Sequence, residues 1–232
     1  MTDIVKQNRA TAIAIIGGTG ALGTGLARRW AEAGHALIIG SRSRDKAQAA
    51  ATAIDKRLAG RGLQGPAVRA MVNEDAAAAA DLVVLTVPFA HHGATLESIR
   101  AAVEGKILVD VTVPLVPPKV GTVQLPPAGS AAVMAQAMLG SGVRVVSALQ
   151  NVAAALLQSD GDIDCDILVC GNDRDARHAV IALLADAGMR GLHAGPIANS
   201  AASEALTSVL ITINRTFKSH AGIRVTGLAE DP

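Results

Sequence analysis

Residues 12–23 read Ala12-Ile13-Ala14-Ile15-Ile16-Gly17-Gly18-Thr19-Gly20-Ala21-Leu22-Gly23. Five apolar residues, three of them isoleucine, predict a short buried strand. The glycines follow at once, with Gly18, Gly20 and Gly23 in Gly-x-Gly-x-x-Gly spacing. An alanine-rich stretch comes next, in which Leu22, Leu26 and Trp30 share one helical face. Strand, glycine loop and helix in that order are the phosphate loop of a dinucleotide-binding βαβ unit. Gly18 permits the tight turn, Gly20 lets the backbone approach a pyrophosphate, and Gly23 lets the helix lie on the sheet. The helix start supplies unpaired N–H groups and partial positive charge to the same anion. The bland alternative, a glycine-rich turn without a ligand, does not account for the placement.

The next strand, Ala36–Gly40, ends in Gly40-Ser41-Arg42-Ser43-Arg44, with Lys46 beyond. An acidic residue at this tip would bind the ribose 2′-hydroxyl of NAD. None stands here, and Asp45 reads as the start of the next helix. Arg42 can grip a 2′-phosphate as a planar fork, and Ser41 can donate to it. NADP(H) is therefore expected rather than NAD(H), against the alternative of a solvated basic turn.

Outward from this unit, short apolar runs alternate with helical patterns. Helices are predicted over Ala21–Ala33, Arg44–Ala59, Asn73–Ala80, Thr95–Val103, Ser130–Leu139, Asp173–Ala187 and Ala198–Ile213. Strands are predicted over Ala67–Met71, Leu82–Val87, Lys106–Val111, Arg144–Leu149, Asp166–Cys170, Gly191–Ala194 and Ile223–Val225. The fold class is α/β, a Rossmann-type parallel sheet with flanking helices and a smaller C-terminal α/β portion. Residues 1–155 are read as the NADP-binding domain and 156–232 as a smaller portion that completes a second-substrate cleft. Five of the nine prolines lie between Pro114 and Pro127, so an irregular loop is expected there.

Composition removes several function classes. Half of the 232 residues are apolar and the formal net charge is +1, so there is neither disorder nor a basic footprint for nucleic acid. Tyr is absent, which excludes Tyr-Lys dehydrogenase chemistry, and Trp30, Phe89 and Phe217 make no stacking platform for single strands. No apolar run approaches the roughly 18 residues of a membrane span. Met1–Thr11 carries Lys6 and Arg9 like the n-region of a signal peptide, but too short an apolar run follows. Cys165 and Cys170 read as buried thiols, and the expected location is the cytoplasm.

Ligands of open α/β sheets lie beyond the carboxyl ends of the strands, so Thr86, Val87 and Pro88 should border the nicotinamide. His91 and His92 are adjacent and point apart on a helix, which makes a poor metal pair; a helix start is the plainer reading. Asp160, Asp162, Asp164 and Asp166 alternate like a solvated acidic edge, without the closing acid that a calcium loop needs. His35, His178, His193 and His220 are isolated in sequence. Neither an acid–base carboxylate pair nor a nucleophile elbow is present, so any chemistry belongs to a cofactor.

Taken together, several segments resemble the coenzyme F420-dependent NADP reductases. They are residues 17–23, Gly40-Ser41-Arg42 with Lys46, Asn73–Ala77, Val84–Pro88, Val145–Leu149, Val169–Asp173, Ala194-Gly195-Pro196 with Asn199-Ser200, and Leu206-Thr207. The resemblance spans nearly the whole chain. It implies that Thr19 to Leu22 line the pyrophosphate, and that Ser41, Arg42 and Lys46 hold the 2′-phosphate. Val87 and Pro88 would flank the nicotinamide, and Ala154 would touch NADP. The deazaflavin would lie against Gln150, Val152, Ala221 and Gly222. Gln150-Asn151 stands where some relatives carry His-Thr. The family moves a hydride between the two rings without a protein acid or base, so no catalytic side chain and no metal are expected.

Two other readings stay open from the residues alone. One is an NADPH-dependent reductase of a flavin, carbonyl or imine. The other is a non-catalytic NADP(H)-sensing module, which the small residues Ala153, Ala154 and Gly222 argue against. A small-molecule redox partner is expected, with no nucleic acid or membrane, and the apolar helix around Leu206–Ile213 suggests a homodimer.

Overall fold

A computed structural model of the chain describes residues 11–228. In chain order the elements are β1 (Ala12–Ile16), α1 (Ala21–Glu32), β2 (Ala36–Ser41), α2 (Arg44–Gly60), β3 (Arg69–Val72), α3 (Asn73–Ala78), β4 (Leu82–Leu85) and α4 (Phe89–Ile99). They continue with β5 (Ile107–Asp110), α5 (Ala131–Leu139), β6 (Arg144–Ser147), α6 (Ala154–Gln158), β7 (Asp166–Gly171), α7 (Arg174–Asp186), β8 (Arg190–His193) and α8 (Ser200–Phe217). The basic amino-terminal stretch lies outside the described residues, Thr11 apart.

The strands form one sheet in the order β3-β2-β1-β4-β5-β6-β7-β8. Pairing is parallel throughout except between β6 and β7. Apolar side chains on both faces explain the near-continuous hydrophobic runs. Ile13, Ile15, Leu37 and Ile39 pack with Leu26 and Trp30 of α1 and with Leu184 of α7. Ala14, Ile16, Ile38 and Leu85 pack on the other face with Ala76 of α3, Leu96 of α4 and Ala135 of α5. The first of these clusters continues through Ile167 and Val169 of β7 to Met189. The expected division at residue 155 thus falls within a continuous sheet and a continuous core. β1 lies between β2 and β4, the point where strand order reverses and a ligand crevice opens.

Several expectations need correction. The stretch Ile223–Val225 is not a strand. The carbonyl of Ile223 accepts from Asp166 N at 2.8 Å, but Val225 N donates to the Asp166 carboxylate, so no ladder forms. α4 opens at Phe89 rather than Thr95, because Pro88 caps its start; a proline costs nothing where no N–H bond is needed. α6 has no counterpart among the expected helices, being a single short turn of helix. Asp166 is no solvated residue: it is fully buried, and Arg190 Nε and Nη2 hold its two oxygens at 2.6 and 2.7 Å. Those bonds keep its carboxyl below the usual range. Asp160 is bridged by Arg28, Arg57 and Arg61. His35 pairs with Asp186, and His178 and His193 meet edge to face.

α6 is anchored by arginine. Arg29 is buried in α1 and donates to the carbonyls of Leu156, Leu157, Ser159, Gly161 and Ala187. Gly25 has no room for a Cβ, which would stand 2.7 Å from Leu157 Cβ. Among the described residues no helix is long and apolar enough to cross a membrane.

Candidate active site

A cleft of about 450 Å³ opens at the carboxyl ends of β1, β2 and β4. Thr19, Gly20, Ala21, Leu22 and Gly23 line it from the glycine loop, and Ser41, Arg42 and Lys46 from the tip of β2. Thr86, Val87 and Pro88 close it from β4. These segments are far apart in sequence, and the strand reversal gathers them.

The glycines fall into distinct roles. Gly20 caps α1 without a side-chain bond, and a Cβ there would meet nothing within 4 Å. The first turn of α1 therefore presents bare N–H groups to open space, a ready anion site. At Gly23 a Cβ would stand 2.8 Å from Gly18 Cα and 3.0 Å from Thr86 Oγ1, so only glycine lets helix and loop meet. Gly18 does not line the cleft; a Cβ there would stand 2.6 Å from the Ile15 carbonyl oxygen. Gly17, at φ +72°, turns the chain, and a Cβ on it would stand 2.6 Å from Val87 Cγ1.

At the β2 tip, Ser41 Oγ accepts from Ser43 N, and Ser43 Oγ caps α2 by accepting from Lys46 N. Arg42 and Lys46 are exposed, and among the described residues neither has a carboxylate partner. Two free cations, a hydroxyl and the start of a long helix converge, a donor set that suits a phosphate dianion.

Gly17, Ser43, Asn73 and Thr95 also line the cleft without having been expected there from sequence, and so does His91, whose plainer reading was a helix start. Asn73 is buried at the start of α3, where its Oδ1 accepts from Gly17 N at 3.4 Å. Its signal was the Asn-Glu-Asp helix start immediately after β3. His91 and Thr95 line the cleft from α4, and Thr95 Oγ1 donates to the His91 carbonyl. Thr95 was expected at the start of that helix and instead lies in its second turn.

Ala154, the first residue of α6, is not among the residues that line this cleft. Its helix abuts the loop nonetheless: Gln158 Nε2 donates to the Ala21 carbonyl at 2.6 Å and to Thr24 Oγ1 at 2.9 Å.

A second cavity of about 170 Å³ includes Gln150, Val152, Thr207, Leu210 and Ala221 in its lining. That is below the about 300–1,000 Å³ of pockets that hold whole ligands, so it suits the edge of a ring system. Gly222 is not in its lining; a Cβ there would collide with Cys165 Sγ, so its smallness serves packing. Gln150 Nε2 donates to the Asp110 carbonyl at 2.8 Å, and Thr207 Oγ1 donates to the Gln150 carbonyl at 2.7 Å. Gln150 Oε1 and Asn151 Oδ1 are buried without a partner.

Behind both spaces, His92 Nε2 stands 2.7 Å from Asp110 Oδ2. Near them Glu204 of α8 accepts from Ala131 N at 2.7 Å and Ala132 N at 3.1 Å, at the start of α5. Burial pushes the Glu204 carboxyl up to about 7, with the charge of Asp110 adding and the two N–H bonds and His92 opposing. No group of three metal-ligating side chains exists among the described residues.

Comparison with known proteins points one way. The family model described as NADP oxidoreductase, coenzyme F420-dependent, matches residues 12–114. An F420-dependent NADP reductase of Methanocaldococcus jannaschii is 41% identical over 222 residues, 93% of this chain and 98% of that one. One from Methanothermobacter thermautotrophicus is 42% identical over 226 residues, 94% and 96% of the two chains. Among solved structures, a hypothetical protein from Sinorhizobium meliloti superposes with a TM-score of 0.62 at 25% identity, covering 86% of this chain and 92% of that one.

Proposed function

The chain belongs to the F420-dependent NADP reductases, NADP-dependent oxidoreductases that pass a hydride between NADP(H) and coenzyme F420, and from that premise we propose how its residues share the work. The carrying observation is the single cleft that unites the glycine loop, the Arg42–Lys46 tip and the end of β4.

Thr19 to Gly23 and the N–H groups of α1 hold the pyrophosphate, with Gly20 leaving room for it and Gly18 and Gly23 shaping the turn. Arg42, Lys46 and Ser41 hold the 2′-phosphate. Thr86, Val87 and Pro88 flank the nicotinamide, and Ala154, at the start of α6, touches NADP. Gln150, Val152 and Ala221 receive one edge of the deazaflavin, while Gly222 lets its segment pack on Cys165. The unpaired oxygens of Gln150 and Asn151 suit an N–H-bearing heterocycle.

The two bound rings supply hydride donor and acceptor. The protein contributes positioning, with reacting carbons about 3–3.5 Å apart and no side-chain acid or base. On this reading residues up to 155 form the NADP-binding part, and the remainder completes the acceptor cleft. The enzyme works as a cytoplasmic homodimer. Val209 and Phe217 on α8, 46% and 74% exposed, offer an apolar surface, and both cysteines are free and buried.

Steady-state mixing of NADPH with F420, followed by deazaflavin absorbance, tests the proposal. Rapid NADPH-dependent reduction of F420 is expected. Turnover of a flavin, carbonyl or imine with none of F420 would refute it.

A further inference from the structure

His92 and Asp110 are buried, and neither lines the nucleotide cleft or the acceptor cavity. A polar pair withdrawn from water costs stability unless it is well bonded, and the bonds of Asp110 lead to different parts of the fold. Its Oδ2 meets His92 in the first turn of α4, and its Oδ1 accepts from Thr112 N at 3.0 Å. Its main-chain oxygen accepts from Gln150.

These connections join the two walls of the ring site. α4 is hung directly on Val87 and Pro88, which line the nucleotide cleft. Gln150 lines the acceptor cavity. Gln150 is also fixed from behind, because Leu149 sits at φ +75°. A bulky residue adopts that left-handed conformation only when its surroundings impose it.

We propose that His92 and Asp110 are a positioning pair that sets the separation of the nicotinamide and acceptor rings by tying the Pro88 end of α4 to Gln150. The proposal rests on the residue roles given above. Neither side chain touches a ligand. A displacement of about 1 Å at the reacting atoms costs about 100-fold in rate, so small slack in this tie is enough.

The test is single-turnover hydride transfer from NADPH to F420, alongside the Kd for NADPH from nucleotide fluorescence. His92→Leu should slow transfer by about 10- to 100-fold and leave NADPH affinity unchanged. His92→Gln, whose amide can reach Asp110, should restore most of the rate. If His92→Leu does not fold, His92→Leu with Asp110→Asn serves, since it leaves no unpaired buried charge and keeps an acceptor for Thr112 N; it should show the same loss. A folded variant with wild-type transfer overturns the proposal. So does a parallel loss of affinity and rate, or failure of His92→Gln to restore transfer, because a merely structural pair would behave so. If the wild-type protein itself moves no hydride to F420, the residue roles fall first and the pair's role with them.

Discussion

Glu204 should make the protein less stable as pH rises through neutrality. Its carboxyl is almost fully buried, and burial moves it from the ordinary 4.5 to about 7. A raised value in the folded state means that the folded protein holds the proton more tightly than the unfolded chain. The associated stability is complete below about pH 4.5 and is lost as pH climbs through about 7. At about 1.4 kcal/mol per tenfold change in proton affinity, the difference comes to about 3 kcal/mol. In a chain of this size that is about 6–12 °C in Tm. Glu204→Gln removes the titration and keeps one oxygen for the N–H groups of Ala131 and Ala132. Urea unfolding of both proteins from about pH 5 to about pH 8 isolates the effect, since every other group cancels in the difference. The wild-type advantage over the variant should shrink by about 2.5 kcal/mol across that range. A flat difference, or one that grows with pH, would refute the reasoning.

Arg42→Ala should weaken NADPH by about 10- to 100-fold, the worth of a charge-assisted hydrogen bond, and barely change NADH; calorimetric Kd values decide it. Equal losses for both would remove Arg42 from the 2′-phosphate. Gly20→Val should leave the melting temperature nearly unchanged, since its Cβ points into open space, yet abolish NADPH binding. Gly23→Ala should instead cost about 1–3 kcal/mol of stability through its clash with Gly18. Deuterium at C4 of NADPH should arrive on F420 without exchange into water, as mass spectrometry would show. Washout would demand a protein acid or base.

The sheet was legible because its strands are buried on both faces and read as unbroken apolar runs. The loop at Gly18–Gly23 was legible because Gly18 and Gly23 answer to sterics that nothing else satisfies and Gly20 leaves the helix start bare. Three things were hidden, each for a physical reason. The reversal of β7 depends on a long irregular connection whose path no local pattern encodes. α6 is too short to show a periodicity and owes its place to Arg29 of α1. The acceptor cavity is built from residues 150–153, 207–214 and 221, and only the fold joins them. The pairing of His92 with Asp110 was likewise hidden, because a buried hydrogen bond between distant residues leaves no spacing to read.

Arg29 holds the segment at 156–161 through carbonyl oxygens alone, and every amino acid has one. The anchor is therefore blind to the side chains that it positions. An exposed position such as Ser159 can therefore be exchanged while the path of the chain past the nucleotide loop stays fixed, whereas Leu157, buried against Gly25, cannot. The support behind the nucleotide loop thus takes its location from a different helix, whatever side chain such an exposed position carries.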